Sequence, residues 1–172
     1  AVVTSVGNAV VVVAKAQNSI NAGTGDTADV FTAFLGEPAG QSKQAIPFVR
    51  WANNSDYAAS TGQKQRSYIA IQNLEATSKS FDAKYYDKNG NLVATQTLSI
   101  PGGSKGNTNA SLAGALGATG MLADSFGYYT DGTAGGAMII EAAAANPTAT
   151  FIAINRTQNP GAGEDANAVP AP

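Results

Sequence analysis

Short segments in which apolar and polar residues alternate, or in which β-branched residues follow one another, recur along most of the chain. Alternation is typical of a strand with one buried face, and a short β-branched run suits a strand buried on both faces. The β-branched run is residues 9–14, and further strand candidates lie at 27–35, 45–51 and 67–74. Strands of this kind, separated by turn residues, predict an all-β fold: an antiparallel β-sandwich of about eight or nine strands with long loops.

The strongest turn signal is Lys88-Asn89-Gly90, which separates strand candidates at 80–87 and 91–100. Asn-Gly accommodates positive φ at both central positions, so the pattern predicts a hairpin with a type I′ turn. The stretch from Asp87 to Asn91 also matches the start of a calcium-binding loop. Such a loop requires a bidentate Glu at its twelfth position, where this chain has Leu98. We therefore predict a turn and no metal site.

Both ends of the chain carry segments that read as the same hairpin. Residues 1–18 place Val6-Gly7-Asn8 between two apolar segments, and residues 137–159 place an Ala/Asn/Pro loop between two others. The second segments end alike, in Ala14-Lys15-Ala16-Gln17-Asn18 and in Asn155-Arg156-Thr157-Gln158-Asn159. The sequence thus predicts one complete unit plus the start of another, as in a piece of a tandem array or a subunit that shares strands with its neighbour.

An extra hairpin without a partner in its own chain indicates a donor segment. The predicted divisions are a candidate donor hairpin at 1–18, a sandwich domain at 19–159 and a Pro/Gly/Ala-rich tail or linker at 160–172. The candidate subunit-contact residues are Val10, Val11, Val12 and Val13, whose apolar surface is costly to leave in water.

Insertion of this strand into the next copy would cover an open sheet edge, and a head-to-tail contact propagates into a filament unless it closes a ring. We therefore expect the partners to be copies of the same chain, in a homopolymer. Deletion of residues 1–18 should leave a folded domain that does not polymerise.

Composition narrows the possible chemistry. The net charge is −2 and only 13% of residues are charged, so we expect no binding to nucleic acid or to an anionic membrane. No apolar run reaches the roughly 18 residues of a membrane span, so we expect no membrane insertion. The chain has no Cys and no His, which excludes disulfides, thiolate nucleophiles, His-dependent triads and zinc sites built from these residues.

The remaining routes to catalysis are weak. Carboxylates are scattered along the chain, and nothing singles out two of them as a glycosidase pair. The glycine-rich segments lack the spacing of a phosphate-binding loop. The sequence predicts a protein that is not an enzyme and that binds no cofactor and no metal.

Two features of the sequence bear on glycans. Aromatic side chains gathered on one face could stack on sugar rings, so a carbohydrate-binding or adhesive surface module is an alternative function. A further alternative is a monomeric surface module in which both end hairpins pack in one closed sandwich. The aromatic candidates are Trp51, Tyr57, Tyr68, Tyr85, Tyr86, Tyr128 and Tyr129. Three sequons are candidate N-glycosylation sites, at Asn53, Asn109 and Asn155.

Two segments carry a resemblance to a known repeat class: Tyr68-Ile-Ala-Ile-Gln-Asn-Leu, and Lys84-Tyr-Tyr-Asp-Lys-Asn-Gly-Asn-Leu-Val-Ala-Thr-Gln-Thr-Leu-Ser-Ile-Pro. They resemble the "VQN…YYDxNGNxV" core of immunoglobulin-like or jelly-roll-like β-sandwich modules that repeat in secreted surface proteins of filamentous and thermophilic bacteria. The resemblance covers residues 45–158. It implies a structural or adhesive role outside the cell and supplies no catalytic residues. Because Ala1 follows no Met and no basic segment, we expect a cell-surface chain whose secretion signal has been removed.

Overall fold

The computed structural model describes Val6 and residues 13–18, 30–35, 39–51, 65–87, 89–110, 136–159 and 162–171. Every element with described bounds is a strand. In chain order the strands are β1 (Val13–Asn18), β2 (Val30–Leu35), β3 (Lys43–Val49), β4 (Arg66–Asn73), β5 (Lys79–Tyr86), β6 (Leu92–Ile100), β7 (Lys105–Thr108), β8 (Gly136–Ala142), β9 (Phe151–Asn159), β10 (Ala162–Asn167) and β11 (Val169–Pro170).

Nine of these described strands form two antiparallel sheets that pack over one core. The first sheet has four strands in the order β10-β9-β4-β7, and the second has five in the order β11-β3-β8-β5-β6. The predicted all-β antiparallel sandwich is therefore confirmed. β1 and β2 form a separate two-stranded ribbon, and β2 lies against β10.

Alternation along the strands builds the core, because successive side chains of a strand point to opposite faces. In β4 every second residue is buried, from Ser67 to Asn73. Phe81 of β5 and Phe151 of β9 meet edge to face between the sheets, with ring centroids 5.1 Å apart. The other large apolar core side chains also come from both sheets: Ile46, Val49, Ile69, Ile71, Tyr85, Ile100, Met138 and Ile140.

The predicted β5–β6 hairpin forms, but its turn is not type I′. The Gly90 N–H donates to the Asp87 carbonyl at 3.0 Å, and the Asp87 N–H donates to the Asn91 carbonyl at 2.9 Å. Gly90 has φ 84°, while no described non-glycine residue has positive φ. This is the three-residue loop in which a four-residue turn precedes a left-handed glycine. The Asp87 carboxylate favours it by accepting from the N–H groups of Asn89 and Asn91.

Residues 137–159 do not form the predicted hairpin. Their two strands, β8 and β9, lie in different sheets, and the loop between them carries the chain across the sandwich. Asn146 holds this crossing: its Oδ1 accepts from the Ser80 N–H at 3.1 Å, and its Nδ2 donates to the Ser80 carbonyl at 2.9 Å. The alternation of each strand is a local signal, whereas β8 pairs with β3 and β5 and β9 pairs with β4, all of them distant in sequence. The other partner of β9 is β10, which follows it directly in the chain.

Residues 160–172 also differ from the predicted tail or linker, because most of them are paired. β10 runs antiparallel to β9, and β11 pairs with β3. Between these strands Ala168 is buried, and its N–H donates to the Ala153 carbonyl at 3.1 Å. The segment thus adds one strand to the edge of each sheet.

Candidate assembly edge

The two sheets end in four edge strands, and proteins protect such edges because unpaired N–H and C=O groups can pair with another chain. Protection takes the form of short strands, charged side chains, proline or a covering segment. β7 has four residues and includes Lys105. β11 has two residues and ends in Pro170. β10 includes Glu164 and Asp165, and it lies beside β2.

β6 is the exception among these edges. Its nine residues, Leu92 to Ile100, include no charged residue and no proline. One side of β6 pairs with β5, and no described strand pairs with the other side. The register with β5 is regular from Ala94 onwards, after an irregularity near the turn. β6 is therefore the described edge best suited to accept another strand.

Hydrogen bonds between the sheets hold β6 in place. The Gln96 side-chain carbonyl accepts from the Thr108 hydroxyl of β7. Thr108 Oγ1 in turn lies 2.8 Å from the hydroxyl of the buried Tyr85. At the end of β6, the Ile100 carbonyl accepts from Asn73 Nδ2 at 2.9 Å. The edge is thus fixed at its middle and at its end, which lowers the entropic cost of binding a strand there.

Charged side chains lie on the strands next to this edge and not on the edge itself. Thr97 of β6 donates to Asp82 Oδ1 of β5 at 2.6 Å. Lys84 of β5 forms an ion pair with Glu141 of β8. The hydrogen bond from Lys84 to Glu141 raises the pKa of the lysine. On this face of the sheet, the charged side chains nearest to the edge are therefore on β5, the strand next to β6.

The pattern of residues 91–100 predicts a strand but does not indicate that this strand is an edge. The signal lies in the composition of the strand, since the other edge strands carry charge, proline or very few residues. This composition indicates an exposed edge only when the order of strands in the sheet is known.

Of the predicted donor residues, only Val13 is described. Val10, Val11 and Val12 lie outside the described residues. Val13 begins β1, pairs with Leu35 of β2 and is 61% exposed. Residues 13–18 therefore have a partner within their own chain, contrary to the expectation for the 1–18 hairpin, and only the other side of β1 is without a paired strand among the described residues.

The three sequons differ in accessibility. Asn53 lies outside the described residues, and Asn109 follows β7 and is half-buried. Asn155 is only 5% exposed, and its Nδ2 donates to the Phe48 carbonyl at 3.0 Å and to Thr157 Oγ1 at 3.1 Å. Because an N-linked glycan attaches to that nitrogen, the folded domain has no room for one at Asn155.

The aromatic residues do not form a flat platform for sugars in the described part of the chain. Trp51 and Tyr68 meet edge to face, with ring centroids 5.7 Å apart, and the Arg66 guanidinium lies 4.5 Å from the centre of the Trp51 ring. Tyr85 is buried and Tyr86 is half-buried, as expected for neighbours on a strand. The remaining candidates, Tyr57, Tyr128 and Tyr129, lie outside the described residues.

Within the described ranges, no three His, Cys, Asp or Glu side chains gather where they could hold a metal ion. No helix in those ranges has the length and apolar character needed to cross a membrane. Comparison with known proteins finds no matching family model, no matching curated protein and no matching solved structure. Function is therefore inferred from the residues and contacts of the chain itself.

Proposed function

We propose that the chain is a non-enzymatic structural subunit of an extracellular filament or surface array, assembled head-to-tail by β-strand addition. The observation that carries this proposal is the nine-residue edge of β6, which includes no charge and no proline and has no second paired strand among the described residues. The apolar run that contains Val10 to Val13 in one copy pairs with β6 of the next copy.

The chemistry of the two strands suits this pairing. Main-chain hydrogen bonds supply affinity along the edge, and side chains that alternate between the two faces supply specificity. The donor run and β6 both lack charged residues, so their pairing buries no charge. Donor and acceptor are different surfaces of one chain, so the contact repeats into a filament unless its rotation closes a ring.

Two sequence features support the extracellular setting. The low charged fraction, 13%, suits a neutral, pilus-like polymer surface, and the absence of cysteine does not argue against secretion in a domain of this size. The strand-and-turn pattern of residues 68–101 resembles modules that repeat in secreted bacterial surface proteins. Glycans are the second proposed partner, and Asn53 and Asn109 remain the candidate attachment sites.

Lysines placed on β6 test the proposal, because lysine is a natural protection for a sheet edge. The variant Thr97→Lys/Ser99→Lys adds two exposed charges to this strand, and the new side chain at position 97 stands opposite Asp82, which favours folding. We expect the variant to stay a 17.3 kDa monomer under conditions in which the unmodified chain forms long particles. Light scattering and negative-stain microscopy of the same samples provide the measurement.

The matched control is Ala144→Lys/Ala145→Lys, which adds the same charge to exposed positions between β8 and β9. This control should polymerise like the unmodified chain. If the β6 variant polymerises to the same length as the control, β6 is not the accepting edge.

A further inference from the structure

The turn between β5 and β6 contains the Asn-Gly pair of the sequence, Asn89-Gly90. Both residues are exposed, so water reaches them. A Cβ placed on Gly90 would meet no atom within 4 Å, so no neighbouring group crowds this residue. Asparagine is a thermally labile residue type, and a following glycine has no side chain to keep its backbone nitrogen away from the asparagine amide. The turn therefore carries a pair that can react with itself.

The reaction converts the side-chain amide of Asn89 to an acid. The deprotonated Gly90 nitrogen attacks Cγ of Asn89, and a succinimide ring forms as the Cγ–Nδ2 bond breaks. The amide nitrogen leaves as ammonia and takes up a proton equivalent to the one that Gly90 has lost. Water then opens the ring: addition at the side-chain carbonyl gives aspartate, and addition at the main-chain carbonyl gives isoaspartate. Water is consumed, ammonia is released, and nothing is oxidised or reduced.

The closed turn holds this reaction back. The Gly90 N–H donates to the Asp87 carbonyl at 3.0 Å, so the attacking nitrogen must first give up this hydrogen bond. Asn89 is the third residue of the four-residue turn, a position at which ψ is about 0°. Ring closure requires a large rotation about the Cα–C bond of Asn89, which brings the Gly90 nitrogen towards the side chain. The turn must therefore open before Asn89 can react.

The Asp87 carboxylate keeps the turn closed. Its Oδ2 accepts from Asn91 Nδ2 at 3.0 Å, and its Oδ1 accepts from the N–H groups of Asn91 at 2.9 Å and Asn89 at 2.8 Å. The bonds from Asn91, and then those from the backbone of the turn, lower the pKa of Asp87, so this carboxylate stays ionised at neutral pH. Hydrogen bonds to an ionised acceptor are stronger than those between neutral groups. Opening of the turn works against these bonds.

We propose that Asn89 is a site of spontaneous deamidation and that the Asp87 carboxylate slows the reaction by holding the turn closed. The product carries a second carboxylate close to Asp87, and two like charges at close range destabilise the turn. Isoaspartate also adds one carbon to the main chain before Gly90, which displaces the Gly90 N–H from the Asp87 carbonyl. Deamidation thus loosens the connection into β6. The reaction needs no contact between subunits and is independent of the proposed assembly.

Mass spectrometry of the full-length chain during incubation in mildly alkaline buffer tests the inference. Trypsin cleaves after Lys88 and Lys105 and releases residues 89–105 as one peptide, in which fragmentation assigns each conversion to a residue. We expect Asn89 to convert to a mixture of aspartate and isoaspartate, and Asn91, which precedes Leu92, to stay intact over the same period. A synthetic peptide of residues 84–94 gives the rate without the folded turn and should react roughly tenfold faster, the factor expected for loss of a hydrogen bond to a charged group.

Variants of the full-length chain test the role of Asp87. Asp87→Ala removes the carboxylate and should speed the conversion of Asn89 roughly tenfold, for the same reason. Asp87→Asn keeps the size of the side chain without its charge and should give an intermediate rate. The matched control Asp82→Ala removes a carboxylate of β5 that accepts from Thr97, and it should leave the rate at Asn89 unchanged. Circular dichroism checks the folding of each variant, and Asp87→Asn carries the comparison if Asp87→Ala does not fold.

Three results would overturn the inference. The first is an Asn89 that stays intact both in the unmodified chain and in the Asp87 variants. The second is a rate at Asn89 that the Asp87 variants do not raise, or that Asp82→Ala raises equally. The third is an equal rate in the full-length chain and in the synthetic peptide, which would show that the folded turn does not hold the reaction back.

Discussion

The Tyr85 hydroxyl lies 2.8 Å from the Thr108 hydroxyl, and this contact joins the two sheets inside the core. Thr108 donates its own hydrogen to the Gln96 carbonyl, so Tyr85 must be the donor to Thr108. Burial raises the pKa of Tyr85, which keeps the phenol protonated and able to donate. A directed chain of hydrogen bonds thus runs from β5 through β7 to the edge strand β6.

Removal of the Tyr85 hydroxyl, the first donor in this chain of hydrogen bonds, should destabilise the sandwich moderately. Tyr85→Phe should lower the free energy of unfolding by about 1 kcal/mol, the net value of one hydrogen bond. Thr108→Val should cost more, about 1–3 kcal/mol, because it removes two contacts at once, with the buried Tyr85 hydroxyl and with the Gln96 side-chain carbonyl. Urea unfolding of both single variants and the double variant gives the measurement.

In the Tyr85→Phe background, the additional cost of Thr108→Val should fall, because apolar groups then replace both ends of the contact. Strictly additive costs would show that the two hydroxyls do not interact in solution.

Asn73 joins the sheets at the end of β6. Its Nδ2 donates to the carbonyls of Thr77 and Ile100, both at 2.9 Å, and its Oδ1 accepts from the Glu75 N–H at 2.9 Å. Asn73→Ala should therefore cost about 2 kcal/mol or more in the free energy of unfolding, since several groups lose their partner together. Asn107→Ala, at an exposed position of β7, is the control and should change stability by less than about 0.5 kcal/mol. Equal costs for the two variants would contradict the structural role given to Asn73.

The strands with strong local signals were predictable from sequence. β4 alternates along its length, and Asn89-Gly90 marks the turn between β5 and β6 even though the Asp87 carboxylate changes the turn type. These features depend on residues within a few positions of one another, so the sequence carries them directly.

The predictions that the structure contradicts concern strand pairing. β8 and β9 are neighbours in sequence but choose partners in different sheets, and β10 forms from a Gly/Ala-rich segment that carries no alternation. The edge position of β6 arises from this order of strands and was not visible before the topology was known.

Acid should weaken the fold through two carboxylates. The Glu75 carboxylate accepts from the N–H and the hydroxyl of Thr150, which lowers the pKa of Glu75. The side-chain amide and the N–H of Asn91 lower the pKa of Asp87 in the same way. A lowered pKa in the folded state stabilises the fold above the unfolded pKa, and this contribution disappears as the pH falls through the folded value.

We therefore expect the free energy of unfolding to decline below about pH 4, near the unfolded pKa values of these groups. Glu75→Gln and Asp87→Asn should each flatten the decline, because a neutral amide does not titrate. Urea unfolding between neutral pH and pH 3 measures this decline. If the free energy of unfolding of both variants falls with pH as steeply as that of the unmodified chain, these two carboxylates are not the source of the decline.

Val10 and Val12 of the donor run can be replaced without altering the two sandwich sheets, whose first strand along the chain begins at Lys43. In Val10→Asp/Val12→Asp, pairing would bury two charges, so this variant should not polymerise alone. It retains β6, whereas the Thr97→Lys/Ser99→Lys variant retains the donor run. An equimolar mixture of the two should therefore form dimers that grow no further, as measured by light scattering.

If the Val10→Asp/Val12→Asp variant alone forms particles as long as those of the unmodified chain, residues 10–13 do not form the contact between subunits. A mixture that stays monomeric would show that the run and β6 are not each other's partners.

The most direct test of the central claim is the mass of the native chain by light scattering across a range of protein concentrations. Strand addition through β6 predicts particles far heavier than 17.3 kDa, with a mass that rises with concentration. A single 17.3 kDa species at every concentration would contradict the claim and would leave a monomeric surface module.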